Sequence, residues 1–301
     1  MTSQVRGEGP SLRPTLYPDV NAALHLLRQE ARTILGDHFH SMYLTGSLAL
    51  GDFDPHRSDI DYIVVTDIDY IVVTDVDVAA DQLTALRAMH ARFNASASPW
   101  ATEVEVVYIA QDALRRHDPA RATHPHIRHD PARATHPHIE RGPDETLRMD
   151  ELDSGWVVQR HILRTRGVVV AGPPPRTLID PVDPRDLRRA VALFMRAWWG
   201  PMIHDPWPLE RPGYQAYAVL TMCRMRYTLE HGAVVSKPAA ARWVKETLGQ
   251  RWAPLIDRAL EWRKDRPDAC GGDTGETQGF IAHTVEQCER SESSTWDSHV
   301  T

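Results

Sequence analysis

The chain has 301 residues, a net charge of −7 at pH 7 and a pI of about 6.1. Its 42% hydrophobic and 25% charged content is that of an ordinary globular protein with room for one large or two medium cores. The acidic balance argues against nucleic acid as the main partner, and no apolar run reaches the length of about 18 residues that a membrane span needs. Cys223, Cys270 and Cys288 are dispersed and lack metal-ligand spacing, which reads as reduced thiols and a cytoplasmic location. The segment 1–18 is polar, contains Pro and Gly, and has no secretory apolar core; it is expected to be flexible.

In chain order, Asp19 is the predicted N-cap of a helix over 20–35, with Val20, Ala23, Leu26, Leu27 and Ile34 on one face and Gly36 as its stop. A short strand is predicted at 40–45, a helix from Ser47, and a second strand from Asp59. Residues 79–93 read as a helix with Leu83, Leu86, Met89 and Phe93 inward. The alternating β-branched run at 102–110 reads as a third strand. Residues 117–144, rich in Pro, His, Arg and Asp, read as a loop. A helix at 154–166 and an apolar run at 168–171 precede Gly-Pro-Pro-Pro at 172–175, the best domain boundary. Beyond it the pattern is helical, at 184–199, 213–230, 237–248, 251–264 and 275–289. The fold class is therefore α+β: an α/β domain with a small mixed sheet over 19–171, a linker at 172–183, an all-helical bundle over 184–290 and a disordered tail at 291–301.

Two segments are doubled. Asp-Ile-Asp-Tyr-Ile-Val-Val-Thr occupies 59–66 and again 67–74, and Arg-His-Asp-Pro-Ala-Arg-Ala-Thr-His-Pro-His-Ile occupies 116–127 and again 128–139. Structural repeats are longer, degenerate and more numerous. The copies point to a recent insertion or to an error in the sequence, and we favour the error. An intact mass lighter by the doubled residues supports that reading, and the full mass refutes it. The doubled Thr-His-Pro-His lacks a third ligand type and reads as loop rather than metal site.

The chemistry concentrates at 46–61. Gly46-Ser47 closes the apolar run Met42-Tyr43-Leu44, and a small residue plus a hydroxyl at such a turn lets backbone N–H groups approach a phosphate. Ser58, Asp59 and Asp61 open the next apolar run. Carboxylates spaced i, i+2 share one face of a strand and suit Mg²⁺, which takes its remaining ligands from water and phosphate. Asp67 and Asp69 duplicate the pair, but only Asp59 and Asp61 follow Ser58 at the expected distance from Gly46-Ser47, so the metal site is assigned to the first copy. Nucleotidyl transfer needs a further carboxylate as base or metal ligand. Glu103 and Glu105 on the third strand both qualify on spacing.

Gly46-Ser47, Gly51 and Asp59-Ile60-Asp61 together resemble the signature of the nucleotidyltransferase superfamily of the DNA polymerase beta type. In that superfamily the third carboxylate lies inside an apolar strand, which favours Glu105, followed by Val-Val-Tyr-Ile, over Glu103. Residues 219–243, with Val-Leu-Thr-Met-Cys-Arg-Met-Arg-Tyr, Gly232, Lys237 and Ala-Arg-Trp, resemble the helical domain of streptomycin/spectinomycin-type aminoglycoside adenylyltransferases. The resemblance covers about residues 20–265. It implies ATP as co-substrate, Mg²⁺ held by Asp59, Asp61 and Glu105, and phosphates met by Gly46, Ser47, Ser58, Arg224 and Lys237. It also implies a cationic aminoglycoside or aminocyclitol acceptor bound by a monomer or weak dimer. Asp205, Trp207 and Glu210 are candidate acceptor contacts, while Tyr214 stands where an acid of that family would be expected. The alternative is an antitoxin-like nucleotidyltransferase acting on a protein partner. The large helical domain with Arg224 and Lys237 favours the small-molecule enzyme.

Overall fold

The computed structural model describes residues 13–53, 68–101, 104–116, 123–127, 147–151, 154–210, 212–248, 251–262 and 273–297. The first helix, α1 (Pro18–Leu35), starts one residue before the predicted cap. Pro18 takes the first helical position, where its fixed φ fits and its missing N–H costs nothing, so Asp19 falls within the first turn. Strand β1 (Phe39–Leu44) leads into the single helical turn α2 (Gly46–Leu50). Strand β2 (Ile68–Thr74) is followed by α3 (Ala80–Asn94), β3 (Val104–Ala110) and α4 (Gln111–Arg115). Strands β4 (Thr123–Ile127) and β5 (Arg148–Glu151), helix α5 (Gly155–Arg166) and strand β6 (Val168–Ala171) complete the α/β part.

The six strands form one sheet in the order β5-β4-β3-β2-β1-β6. Only β2 and β3 pair in parallel; the other neighbours are antiparallel. Strand alternation splits the side chains between two cores. Met42, Leu44, Val72, Val106 and Tyr108 pack with α1 and α3 on one face. Tyr43, Ile71, Val73, Val107 and Ile109 pack with Leu114, Trp156, Leu163, Leu178 and Ile179 on the other.

Two sequence expectations change here. The second strand does not begin at Asp59: β2 is built from the second copy of the octapeptide, and 54–67 lies outside the described residues. The segment 117–144 is not all loop, because the first Thr-His-Pro-His-Ile forms β4. Pro125 is tolerated there because β4 meets β3 only at His126 and Ile127, so no donor to β3 is lost.

The junction at 172–183 is packed. Gly172 adopts φ +95°, and a Cβ there would lie 2.3 Å from Ser41 Cβ. Tyr43 donates its hydroxyl to the Pro173 carbonyl at 2.6 Å. Arg164 donates to the Arg176 and Ile179 carbonyls, and Arg160, buried, donates to the Leu114 carbonyl at 2.7 Å and to that of Arg115. Burial pulls the Arg160 pKa down to about 10, so it remains a cation at neutral pH.

The helical part holds α6 (Pro184–Phe194), α7 (Pro212–His231), α8 (Lys237–Thr247), α9 (Ala253–Trp262) and α10 (Thr274–Asp297). The sequence extends α6 to 199; instead its last turn, Met195–Trp199, widens to a π-turn before Gly200-Pro201. The sequence also treats 291–301 as disordered, yet α10 continues to Asp297, a stretch without Gly or Pro to stop it after Gly279. Helix α7 is the central one: Tyr214, Ala218, Met222 and Cys223 are buried around it with Trp199, Ile256 and Phe280. A helix apolar on several sides must be enclosed by its neighbours.

Candidate active site

The register places the site at one end of the sheet. Leu44, the last residue of β1, pairs with Tyr70, near the start of β2. The chain then passes through Thr45 into Gly46-Ser47, so this turn lies at the end where β2 and β3 begin. In the parallel pair, Asp69 is registered directly with Glu105. Neighbouring strands lie about 4.8 Å apart, so these two positions are lateral neighbours.

Gly46 takes φ +60°, a left-handed value that favours glycine at the turn. Ser47 follows on α2 with only 6% of its surface exposed, and its Oγ has no hydrogen-bond partner among the described residues. A buried hydroxyl without a partner costs free energy, commonly about 1–3 kcal/mol. A phosphate oxygen arriving at the turn would satisfy it. Glu105 is half-buried, flanked in sequence by the buried Val104 and Val106 on an otherwise apolar strand. A carboxylate and a hydroxyl at one sheet end are the hard oxygen donors that suit Mg²⁺.

Helix α2 joins this end of the sheet to the helical part. Ala49 and Leu50 pack with Ile162 and Val158 of α5, Leu187 of α6, Val182 and Val234. Val234 precedes Lys237 by three residues, which brings the start of α8 toward the Gly46-Ser47 turn. Lys237 is 4% exposed, and its Nζ lies 4.5 Å from the centroid of the Tyr217 ring. Tyr217 and Arg224 are seven residues apart on α7, hence on one face about 10 Å apart along the axis. Thr221 lies between them, buried, with an Oγ1 that has no hydrogen-bond partner among the described residues. The helical part thus presents Lys237, Arg224 and that hydroxyl along one stripe.

Of the sequence-derived site residues, Gly46, Ser47 and Glu105 come together at the sheet end, and Arg224 and Lys237 share the α7–α8 stripe. Ser58, Asp59, Asp61 and Glu103 lie outside the described residues. Among the described residues no group of three His, Cys, Asp or Glu is placed to hold a metal. Asp205, Trp207 and Glu210 are exposed around a 3₁₀ turn, Trp207–Glu210, before α7. Tyr214 is fully buried against Trp199 and Tyr217, with its hydroxyl 3.8 Å from Met202 Sδ, so it serves the core. Sequence reasoning missed Tyr217 and Thr221, although their i, i+4, i+7 spacing with Arg224 marks a shared helix face. Asp69, which the sequence sets aside as a copy of Asp61, is the position that the register pairs with Glu105.

Known proteins resemble this chain in sequence and in fold. Residues 177–287 match the family model of the aminoglycoside adenylyltransferase C-terminal domain. The chain is 26% identical over 246 residues to an aminoglycoside (3'') (9) adenylyltransferase of Klebsiella pneumoniae, covering 80% of this chain and 84% of the relative. It is 28% identical over 226 residues to one of Escherichia coli, covering 73% and 76%. Its fold matches the crystal structure of spectinomycin adenyltransferase AAD(9) from Enterococcus faecialis with ATP and spectinomycin, at a TM-score of 0.61 and 14% identity, over 89% of this chain and 98% of that one.

Proposed function

We propose that the chain is an aminoglycoside adenylyltransferase, as its match to that family's C-terminal domain and its curated relatives support, and that it moves AMP from ATP to a hydroxyl of a cationic aminocyclitol or aminoglycoside, with Mg²⁺ as cofactor. The observation that supports this reading is the buried Ser47 hydroxyl, without a hydrogen-bond partner among the described residues, on the turn at the same sheet end where β3 carries Glu105.

In this reading Glu105 accepts the proton of the acceptor hydroxyl. The freed oxygen forms a bond to the α-phosphorus, the bond from that phosphorus to the bridging oxygen breaks in line, and pyrophosphate leaves with the electron pair. Mg²⁺, held by Glu105 and an Asp-Ile-Asp pair of the doubled octapeptide, would supply charge neutralisation for the phosphates. Gly46 and Ser47, with Ser58, hold phosphate oxygens. Lys237 and Arg224 approach the triphosphate from the helical side, where charge-assisted bonds are strongest in a water-poor cleft. Asp205, Trp207 and Glu210 offer charge and an aromatic face to a polycation. The protein acts in the cytoplasm as a monomer or weak dimer, without nucleic acid or membrane; no described helix is long and apolar enough to cross a membrane.

The test is resistance. Expressed in a susceptible bacterium, the chain should raise the inhibitory concentration of streptomycin or spectinomycin, and Glu105→Gln should abolish the increase. No increase for either drug, with the protein present and folded, refutes this choice of acceptor.

A further inference from the structure

Cations also gather on the helical part away from the Lys237–Arg224 stripe. Arg226 is two residues from Arg224 on α7, so it stands about 200° around the helix from it. Helices α7 and α10 are tied near their starts, where the Gln215 side chain donates to the Thr274 hydroxyl at 3.3 Å, and both feed one core. Counted from that tie, Arg226 and His283 lie about 17 and 14 Å along their helix axes, which sets them level. The charge of Arg226 does act on His283, as that placing requires.

The third element is the start of α9. Trp252 is buried, with its ring centroid 5.8 Å from the His283 ring and 5.1 Å from that of Phe280. The guanidinium of Arg251, an exposed residue, lies 4.6 Å from the Trp252 ring centroid. Stacking on an aromatic face orients a guanidinium and leaves its N–H edge available. The Trp252 carbonyl accepts from the Ile256 N–H at 3.0 Å, so the positive end of α9 begins here as well. Burial, then the charges of Arg226 and Arg251, hold the His283 pKa below the usual histidine range; Glu286 opposes them and Arg290 adds to them. Arg290 has its own carboxylate, pairing with Glu286 at 2.6 Å. Arg226 and Arg251 have none among the described residues, and the Arg226 Nε is buried with no hydrogen-bond partner there.

We propose that Arg226, Arg251 and His283 form a binding site for a phosphate group, free or at the end of a phosphomonoester, on the side of α7 turned away from Arg224. A planar guanidinium fork matches two oxygens of a tetrahedral oxyanion, and an imidazole N–H can meet a third. A dianion offsets the repulsion among the converging cations and ties α7, the start of α9 and α10 to one ligand. The chain as a whole carries a charge of −7, so the gathering does not reflect a general excess of cations. The site is independent of the AMP-transfer reading.

The experiment uses the full chain with isotope-labelled histidine, the His283 signal being the one missing from His283→Gln. Inorganic phosphate is titrated against potassium chloride of equal ionic strength. The His283 signal should move saturably, with half-saturation at or below about 1 mM. Arg226→Met and Arg251→Met should each weaken the response at least about tenfold. Arg185→Met, at an exposed arginine of α6, and Lys237→Met should leave it within about twofold. Arg251 is exposed, so its variant keeps the test open if Arg226→Met fails to fold. Glycerol phosphate, titrated alongside, separates the two sources: tighter binding of the ester or of the free ion supports the site and names its ligand. A His283 signal that phosphate moves no more than chloride does overturns the proposal. So does a response that both arginine variants keep, or one that Lys237→Met removes, which would put the ion on the other stripe. None of these results bears on AMP transfer.

Discussion

Lys237→Met separates a binding role from a structural one. Lys237 sits at the first position of α8, directly after the capping residue Ser236, with its Nζ 4.5 Å from the Tyr217 ring centroid and 4% of its surface exposed. A cation at a helix N-terminus opposes the macrodipole at a cost of about 0.3–1 kcal/mol. The aromatic face returns about 0.5–2 kcal/mol when desolvated. These contributions nearly cancel, and Met is unbranched and able to fill the space. Lys237 makes a further contact besides the Tyr217 ring, so the stability of the nucleotide-free protein should change by no more than about 2 kcal/mol in urea unfolding. Nucleotide binding should behave differently. Losing a charge-assisted contact to phosphate costs about 1.5–3 kcal/mol, or about 10- to 150-fold in affinity. Titration calorimetry with Mg²⁺-ATP and urea unfolding, run on the same preparation, give both numbers. ATP affinity within twofold of wild type together with a stability loss above about 3 kcal/mol would refute the reasoning and make Lys237 a structural residue.

Other perturbations probe separate parts of the account. Glu105→Gln should lower kcat by about 10²–10⁴, the range for losing a general base, with ATP affinity within a few-fold; steady-state kinetics decide. His90 is buried with its Nε2 2.9 Å from the Tyr108 hydroxyl, and burial depresses its pKa to about 3. As pH falls below about 6.5 the unfolded chain takes up this proton first, so the stability present above that pH declines until about pH 3. From pH 7.5 to 5.5 the histidine should remove about 1.4 kcal/mol, a loss absent from His90→Gln when both are unfolded in urea. Arg160→Met strands the buried Leu114 carbonyl, while the Arg115 carbonyl keeps the Asp180 N–H, and should cost about 1–3 kcal/mol by denaturant unfolding. Gly172→Ala adds left-handed strain to a 2.3 Å clash with Ser41 and should destabilise by at least about 2 kcal/mol in the same assay.

What the sequence made legible follows from the range of the forces involved. Helices with one apolar stripe, such as α3 and α5, stand within a residue or two of their predicted bounds, because local periodicity carries the information. Gly46-Ser47 was readable because the turn needs those residue types. The place of Glu105 on β3 was readable from the alternating β-branched run around it. The position of β2 was not, because two identical octapeptides offer the same pairing, and only the tie of Asp75 to His38 and the short run into α3 distinguish them. Lengthening a loop costs only about 0.6 kcal/mol per doubling, too weak a preference to be read from composition. Strand β4 was hidden by its Pro and His content, since a strand with few partners needs little β propensity of its own. The joining of α2 to the helical part was hidden too, because it depends on Ala49 and Leu50 packing against a cluster that holds Leu187 and Val234, far along the chain.

The central claim is AMP transfer to an aminocyclitol or aminoglycoside hydroxyl. Its most direct test is to incubate the purified chain with Mg²⁺-ATP and spectinomycin or streptomycin, following pyrophosphate release and the mass of the drug. The account predicts pyrophosphate in step with a drug heavier by one AMP, and neither product with Glu105→Gln. Tight ATP binding without release of pyrophosphate across a panel of aminocyclitols and aminoglycosides would contradict it.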